Sequence, residues 1–282
     1  MVQKINDLPT LPTMMMTITR LMQDPRTSAD ELGRAIGTDP SLVSKVLKLV
    51  NSAFYGFPGR ISTITQAIVI LGFSTIRNVV LTTSVLKLFG RDSRLKGFDV
   101  ETFWEHSLLT GAIAKALAVE KDAPFTEETF IAGLLHDMGH MILSQKLTAE
   151  FEKVLAHQQK QGGSLMAAEQ AVLGLNHGEI GAWLAKKWNL PEPFVVTMRH
   201  HHHPDTHEAR EMRKTEVGSL IGLVHAANVM SQRLGPEGQV TPESAADIHP
   251  EIWAELSVDD WERFQSRTKD EIDKARAFLD IL

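Results

Sequence analysis

Apolar residues recur along this chain at helical spacing, and sustained period-two alternation is hard to find, so the pattern predicts an all-α protein of about a dozen helices. Helix starts are signalled in one repeated style. Ser28 with Glu31 makes a capping-box signature ahead of Leu32 and Ile36. Asp39-Pro40 supplies an N-cap followed by a proline at the first helical position. Ser62 precedes a helix through Ile70 that Gly72 ends, and Ser74 opens another toward Gly90. Thr126, Glu127 and Glu128 place negative charge at the start of a helix that runs to His136-Asp137. Asn176 and Glu179 form a second capping box before a helix toward Trp188, and Pro191 restarts the chain into Val195–His202. From Ser257 onward, Trp261, Phe264, Ile272, Ala275, Phe278 and Leu279 mark an amphipathic helix that packs back on the body.

A short charged stretch (Arg91, Asp92, Arg94, Lys96) separates two strongly helical regions. It divides the chain into an N-terminal helical subdomain, 1–95, and a second helical subdomain, 96–235. Gly235-Pro-Glu-Gly-Gln is a loop by composition and opens a C-terminal extension, 236–282. An apolar content of 43% and a charged content of 23% are those of an ordinary globular protein. With no cysteine, disulfides and thiolate metal sites are excluded. A net charge of −6 offers no bulk attraction for nucleic acid. The first thirty residues lack the basic start and apolar run of a signal peptide. Val79–Phe89 is too short, and too interrupted by Thr and Lys, to span a membrane. The expectation is a cytoplasmic protein without a membrane partner.

The stretch Phe130-Ile-Ala-Gly-Leu-Leu-His136-Asp137-Met-Gly-His140 changes the picture. An imidazole and a carboxylate at the end of an apolar helix must both be satisfied where water is scarce, by a metal ion or by a closed hydrogen-bond network. His106 lies early in another helix, His177 begins a third, and His201-His202 ends a fourth. Four helices bringing imidazoles toward one end is how bundles build metal sites. Imidazole with carboxylate suits one or two divalent ions of Fe, Mn, Zn or Ni, and Asp137 could bridge a pair that activates water against a phosphorus centre. Each histidine also has a plainer reading: a core or surface residue for His106, a solvated helix start for His177, an exposed polar run for His200–His203. A further candidate is the helix-turn-helix spacing of Ser28–Val50, whose second helix offers Lys45 and Lys48 to phosphates. Asp30, Glu31 and Asp39 in the same segment, and the absence of a basic patch, favour a structural helix pair and argue against nucleic acid.

His106 followed by His136-Asp137 resembles the ordered signature of the HD superfamily of metal-dependent phosphohydrolases. His177-Gly-Glu-Ile-Gly181 and His201-His202 resemble the further ligands of its HD-GYP branch, which cleaves cyclic dinucleotides. Leu8-Pro-Thr-Leu-Pro12, Thr38-Asp39-Pro40-Ser41-Leu42, Val50-Asn51-Ser52-Ala53-Phe54-Tyr55 and Ile64-Thr-Gln-Ala67-Ile-Val-Ile-Leu71-Gly72 resemble the HDOD domain, over about residues 5–235. That resemblance implies an all-helical bacterial signalling module, an HD-type bundle with an added N-terminal subdomain, and His106, His136, Asp137, His177, His201 and His202 as metal ligands. Three departures from the hydrolase pattern stand out. Asn228 occupies the position of the superfamily's last aspartate, His140 stands where HD-GYP enzymes carry lysine, and the glycine- and tyrosine-containing loop after the paired histidines is missing. The expectation is a protein-interaction and output module with a degenerate metal site and no efficient catalysis, working with a separate sensor or receiver protein. The rival is an active phosphohydrolase on a nucleotide or phosphoester.

Overall fold

Side-chain caps mark where several of the helices begin, Ser28, Asp39, Asp99 and Asn176 among them. A computed structural model of the chain describes residues 13–24, 26–89, 97–215, 218–235 and 238–279. Among these residues every regular element is helical, and the protein is all-α. Leu8–Pro12, Arg91–Lys96 and the Pro236-Glu237 part of the glycine-proline loop lie outside the described residues. The described chain divides into two compact units, one within Thr10–Gly90 together with Lys269–Leu282, the other within Arg91–Thr268.

The first unit begins with α1 (Thr13–Gln23), α2 (Ala29–Gly37), α3 (Pro40–Val50) and α4 (Ile64–Phe89). At α2, Ser28 Oγ accepts from the Glu31 backbone N–H at 3.2 Å while Glu31 Oε2 accepts from the Ser28 N–H at 2.9 Å, so two orphan donors are satisfied reciprocally. Asp39 caps α3 by accepting from Leu42 N–H at 3.1 Å. Leu32 and Ile36 of α2, with Val46, Leu49 and Val50 of α3, are buried on one face each. After α3, Asn51 pins the connector: its amide donates to the carbonyls of Leu47 and Ile61, and its oxygen accepts from Ile61 N–H at 2.8 Å. Thr63, one residue after Ser62, caps α4 through Gln66 N–H. By length and composition α4 is the one described helix long and apolar enough to cross a membrane. Gly72, at φ +86°, breaks it into two helical segments, and half of its most apolar window is buried. It reads as a core helix.

The second unit contains α5 (Val100–Glu120), α6 (Thr126–Leu135), α7 (Met138–Lys146), α8 (Thr148–Gln161), α9 (Leu165–Leu173), α10 (His177–Lys187), α11 (Glu192–His200), α12 (His207–Arg213), α13 (Ser219–Ser231), a 3-10 turn at Pro242–Ala245, and α14 (Pro250–Leu256). It also holds the beginning of α15 (Trp261–Leu279), whose residues from Lys269 belong to the first unit. Helices α5 and α6 cross at a pair of glycines: a Cβ on Gly133 would stand 2.6 Å from Gly111 Cα. That contact sets His106 of α5 beside His136 at the end of α6. Gly139 does the same for α7 and α10, because a Cβ there would collide with the His177 carbonyl. Glu120 at the end of α5 is paired with Arg263 and Arg267 of α15, and bidentate Arg210–Glu251 contacts join α12 to α14.

Candidate metal centre

The chain leaves helical geometry between α6 and α7, and His136-Asp137 occupies that junction. Its side chains meet those of α5, α10 and the α11–α12 connection. The Asp137 carboxylate is the middle of the cluster. Its Oδ1 lies 3.2 Å from His177 Nε2 and 3.3 Å from His201 Nε2. Its Oδ2 lies 3.3 Å from His136 Nε2, 3.6 Å from His106 Nε2 and 3.7 Å from His140 Nδ1. His202 joins the Oδ1 side, its Nε2 being 2.9 Å from that of His177.

Hydrogen bonds on the far side of each ring decide which nitrogen faces inward. His136 Nδ1 is 2.6 Å from the Gly133 carbonyl and His201 Nδ1 is 2.8 Å from the Met198 carbonyl, so each must donate from Nδ1. His177 Nδ1 donates to Glu169 Oε2 at 2.7 Å. In the neutral rings all three Nε2 lone pairs then point at a carboxylate. Acceptors facing an acceptor in a buried site need a cation or additional protons between them. His136 Nε2 and Asp137 Oδ1 are buried with no hydrogen-bond partner. Separations of 3.2–3.6 Å also suit two atoms that each bind one ion at about 2.1 Å. The donor set fits a divalent metal, and histidines oriented by carbonyl and carboxylate groups are the usual support of such sites.

The electrostatics divide sharply around Asp137. Burial works against charge on Asp137, yet the facing His136 and His177 hold its carboxyl well below the ordinary range. Burial likewise opposes charge on His177, but Asp137 and Glu169 together raise it to about 10. His106 and His201 are pushed down to about 4, chiefly by burial, and His202 is driven down further for the same reason. Without a metal, the cluster therefore keeps its proton on His177 and leaves the other perturbed rings neutral.

All six side chains singled out in the sequence, His106, His136, Asp137, His177, His201 and His202, lie in this one cluster. Asn228 of α13 is buried next to it, hydrogen-bonded to His106, with its Oδ1 accepting from Gln232 at 3.0 Å. Two members were not foreseen as part of the site. Glu169 of α9 is wholly buried, and besides the His177 ring it accepts from the His177 backbone N–H at 2.8 Å. Its Oε1 stands 2.9 Å from His140 Nε2, out of line for a hydrogen bond. The available signal was that Glu169 is the sole charge in the otherwise uncharged segment Leu165–Leu173. His140, noted only as a departure from lysine, stacks near His177 with ring centroids 3.9 Å apart. His225 supports the turn from behind: its Nδ1 lies 2.7 Å from the His201 carbonyl, and its Nε2 accepts from His249 N–H at 3.2 Å.

A family model described as the HDOD domain matches residues 8–204. A protein of Treponema pallidum (strain Nichols) that carries no functional name is 29% identical over 236 residues, which are 83% of this chain and 44% of that protein. The chain thus spans less than half the length of this curated relative. The crystal structure of an HDOD domain protein of unknown function from Geobacter sulfurreducens superposes with a TM-score of 0.73 at 26% identity, covering 98% of this chain and 93% of that one. A Shewanella amazonensis SB2B structure with the provisional name of phosphohydrolase superposes with a TM-score of 0.74, covering 98% and 97%. At 23% identity that second likeness shows the fold alone.

Proposed function

The chain belongs to the HDOD domain family, and from that membership we propose that it is a bacterial signal-transduction module, a helical interaction and output scaffold built around a divalent-metal centre with little hydrolytic power. Its input comes from a separate sensor or receiver protein. The observation that carries the metal part is the ring of inward-facing histidine nitrogens around Asp137. His136, Asp137, His177, His201 and His202, with His106, would hold the ion or ions, which when bound supply Lewis acidity. The protein's own part is to fix ring orientation through Gly133, Met198 and Glu169, and to keep the ligand atoms out of bulk water.

Low turnover is supported by Asn228. Among the described residues, the group formed by His106 and His136 has Asp137 as its carboxylate, and an amide at position 228 adds no charge to offset a dication there. A second reading, hydrolysis of a phosphoester, is favoured by the same Asp137, whose two oxygens face two histidine sets as a bridging ligand of a two-metal hydrolase does.

One experiment separates the readings. Protein purified without a histidine tag or nickel column is analysed for Fe, Mn, Zn and Ni and assayed on cyclic dinucleotides and on a generic phosphodiester. The expected result is bound metal, with hydrolysis no faster than that of Asp137→Ala. Turnover that Asp137→Ala abolishes overturns the scaffold reading. A protein that takes up no metal after reconstitution overturns the metal centre.

A further inference from the structure

The charges of the chain are divided unevenly along it. From Pro40 to Gly90 the sequence holds five cations, Lys45, Lys48, Arg60, Arg77 and Lys87, and neither aspartate nor glutamate. The whole chain is −6, so the remainder carries −11 against this +5. Two grooves of the first unit border α3 within that stretch. The smaller, about 290 Å³, is lined by Lys45 and Lys87, but Asp39 shares it, with Oδ2 3.9 Å from Lys87 Nζ. The larger, about 660 Å³, is formed by α3 and the connector that Asn51 pins. Ser44, Leu47 and Lys48 line it from α3, at spacings that share one helix face, and Arg60, Ile61 and Ser62 line it from the connector. No carboxylate lines this groove.

We propose that the larger groove binds a small phosphate monoester, its dianion held between the Lys48 ammonium and the Arg60 guanidinium. A phosphate monoester carries about −1.5 to −2 at neutral pH, a charge that two cations match. The guanidinium fork engages two phosphate oxygens at once, and the lysine acts beside it as a point charge. The hydroxyls of Ser44 and Ser62 add donors, and half-buried Leu47 offers apolar surface to the ester group. The groove has the size of small-molecule sites, about 300–1,000 Å³. It is also prepared in advance. Asn51 makes three hydrogen bonds that fix the connector at Ile61, and Ile61 is itself buried, so the chain beside Arg60 needs little ordering when a ligand arrives. Asp39 makes the smaller groove the poorer anion site. Nucleic acid suits the larger one less well, since each phosphodiester brings a single charge and an extended polyanion would meet the −11 of the remaining chain. The site lies in the unit that does not hold the metal centre and stands independently of it. Its ligand would give the scaffold a chemical input beside that of a protein partner.

The test is a calorimetric titration of the whole chain with phenyl phosphate at low ionic strength. The protein is first treated with chelator, so that phosphate has no metal to bind and the result does not depend on the metal centre. One equivalent is expected to bind. Lys48→Ala and Arg60→Ala, both at exposed positions, should each weaken binding by about 10-fold or more. Arg60→Lys keeps the charge but loses the fork, and its affinity should fall between those of the native protein and Arg60→Ala. Lys87→Ala, in the smaller groove, should leave the affinity in place. Diphenyl phosphate, a diester with one charge, should bind more weakly than the monoester. Failure of the folded protein to bind phenyl phosphate overturns the site, as does binding that both alanine variants leave unchanged. Tighter binding to a duplex oligonucleotide, or to phosphatidylcholine vesicles carrying phosphatidic acid, that is lost in the same two variants overturns the small-molecule reading.

Discussion

The unit of α1–α4 and the unit that holds the metal centre solve the same problem in opposite ways. In the first, the helix-capping polar side chains Ser28, Asp39 and Thr63 do their work at helix starts, and the buried faces of α2 and α3 are aliphatic. In the second, two carboxylates and several imidazoles sit in the middle of the packing. In the first unit α2 and α3 depend on burial and caps, and the polar side chains that α4 buries, Asn78, Thr82 and Thr83 among them, are uncharged. The second has placed ionisable groups where burial disfavours their charge, and it is stable only while those groups satisfy one another or share a cation. The contrast teaches that the polar core is a site, since an aliphatic core was available to the same chain.

Reporter residues fall conveniently across this divide. All five tryptophans (Trp104, Trp183, Trp188, Trp253, Trp261) lie in the metal-centre unit, and the single tyrosine, Tyr55, lies in the other. The widest expected difference is therefore in pH. In metal-free protein His177 is raised to about 10, so its stabilisation is complete below the unfolded value of about 6.5 and is lost as pH rises toward 10. His106 and His201 are lowered to about 4; they stay neutral in the fold while the unfolded chain gains protons, so stability also falls as pH drops from about 6.5 to 4. Glu169, lowered to about 2, adds a loss between about pH 4.3 and 2. Urea midpoints followed by tryptophan fluorescence should peak near pH 6.5. A level profile from pH 6.5 to 10 would refute the His177 assignment.

Three substitutions sharpen the contrast further, in descending order of effect. Leu32→Ala, in the fully buried face of α2, is expected to cost about 2–5 kcal/mol and to leave Mn2+ binding unchanged. Gly133→Ala should cost about 1–3 kcal/mol by forcing α5 from α6, and should also weaken Mn2+ binding because His106 and His136 part. Ser28→Ala removes a cap from α2 and should cost about 0.5–2 kcal/mol, again without touching the metal. Urea melts and Mn2+ titrations of the three proteins give both numbers. Metal affinity that falls with Leu32→Ala, or is spared by Gly133→Ala, would contradict the division of labour.

Much of this was legible in the residues themselves. Helical periodicity carried the all-α class, and Ser28 with Glu31, Asn176 with Glu179 and Asp39-Pro40 marked starts that the structure makes with the expected bonds. The six candidate ligands were visible because imidazoles next to apolar helix ends are physically awkward, and because their order resembles a known signature. Glu169 was not visible as a partner of His177. One carboxylate on a short helix looks the same whether it faces water or a ring, and only the packing of α9 on the site distinguishes them. The α5–α6 crossing was hidden for a similar reason. Gly111 and Gly133 each read as a helical glycine, and the meaning of the pair lies in their meeting.

The junction between α6 and α7 has a consequence for how the protein comes into being. Its ligands come from His106 at one end of the sequence segment to His202 at the other, so no early, local piece of the unit can hold an ion with the full set. The loops that join them must all close first, and such long-range closure comes late in folding. A fully coordinated ion then marks a chain that has completed its topology. Metal would act less as a nucleus for folding than as a latch on its last step, slowing the escape of finished molecules back toward the unfolded pool.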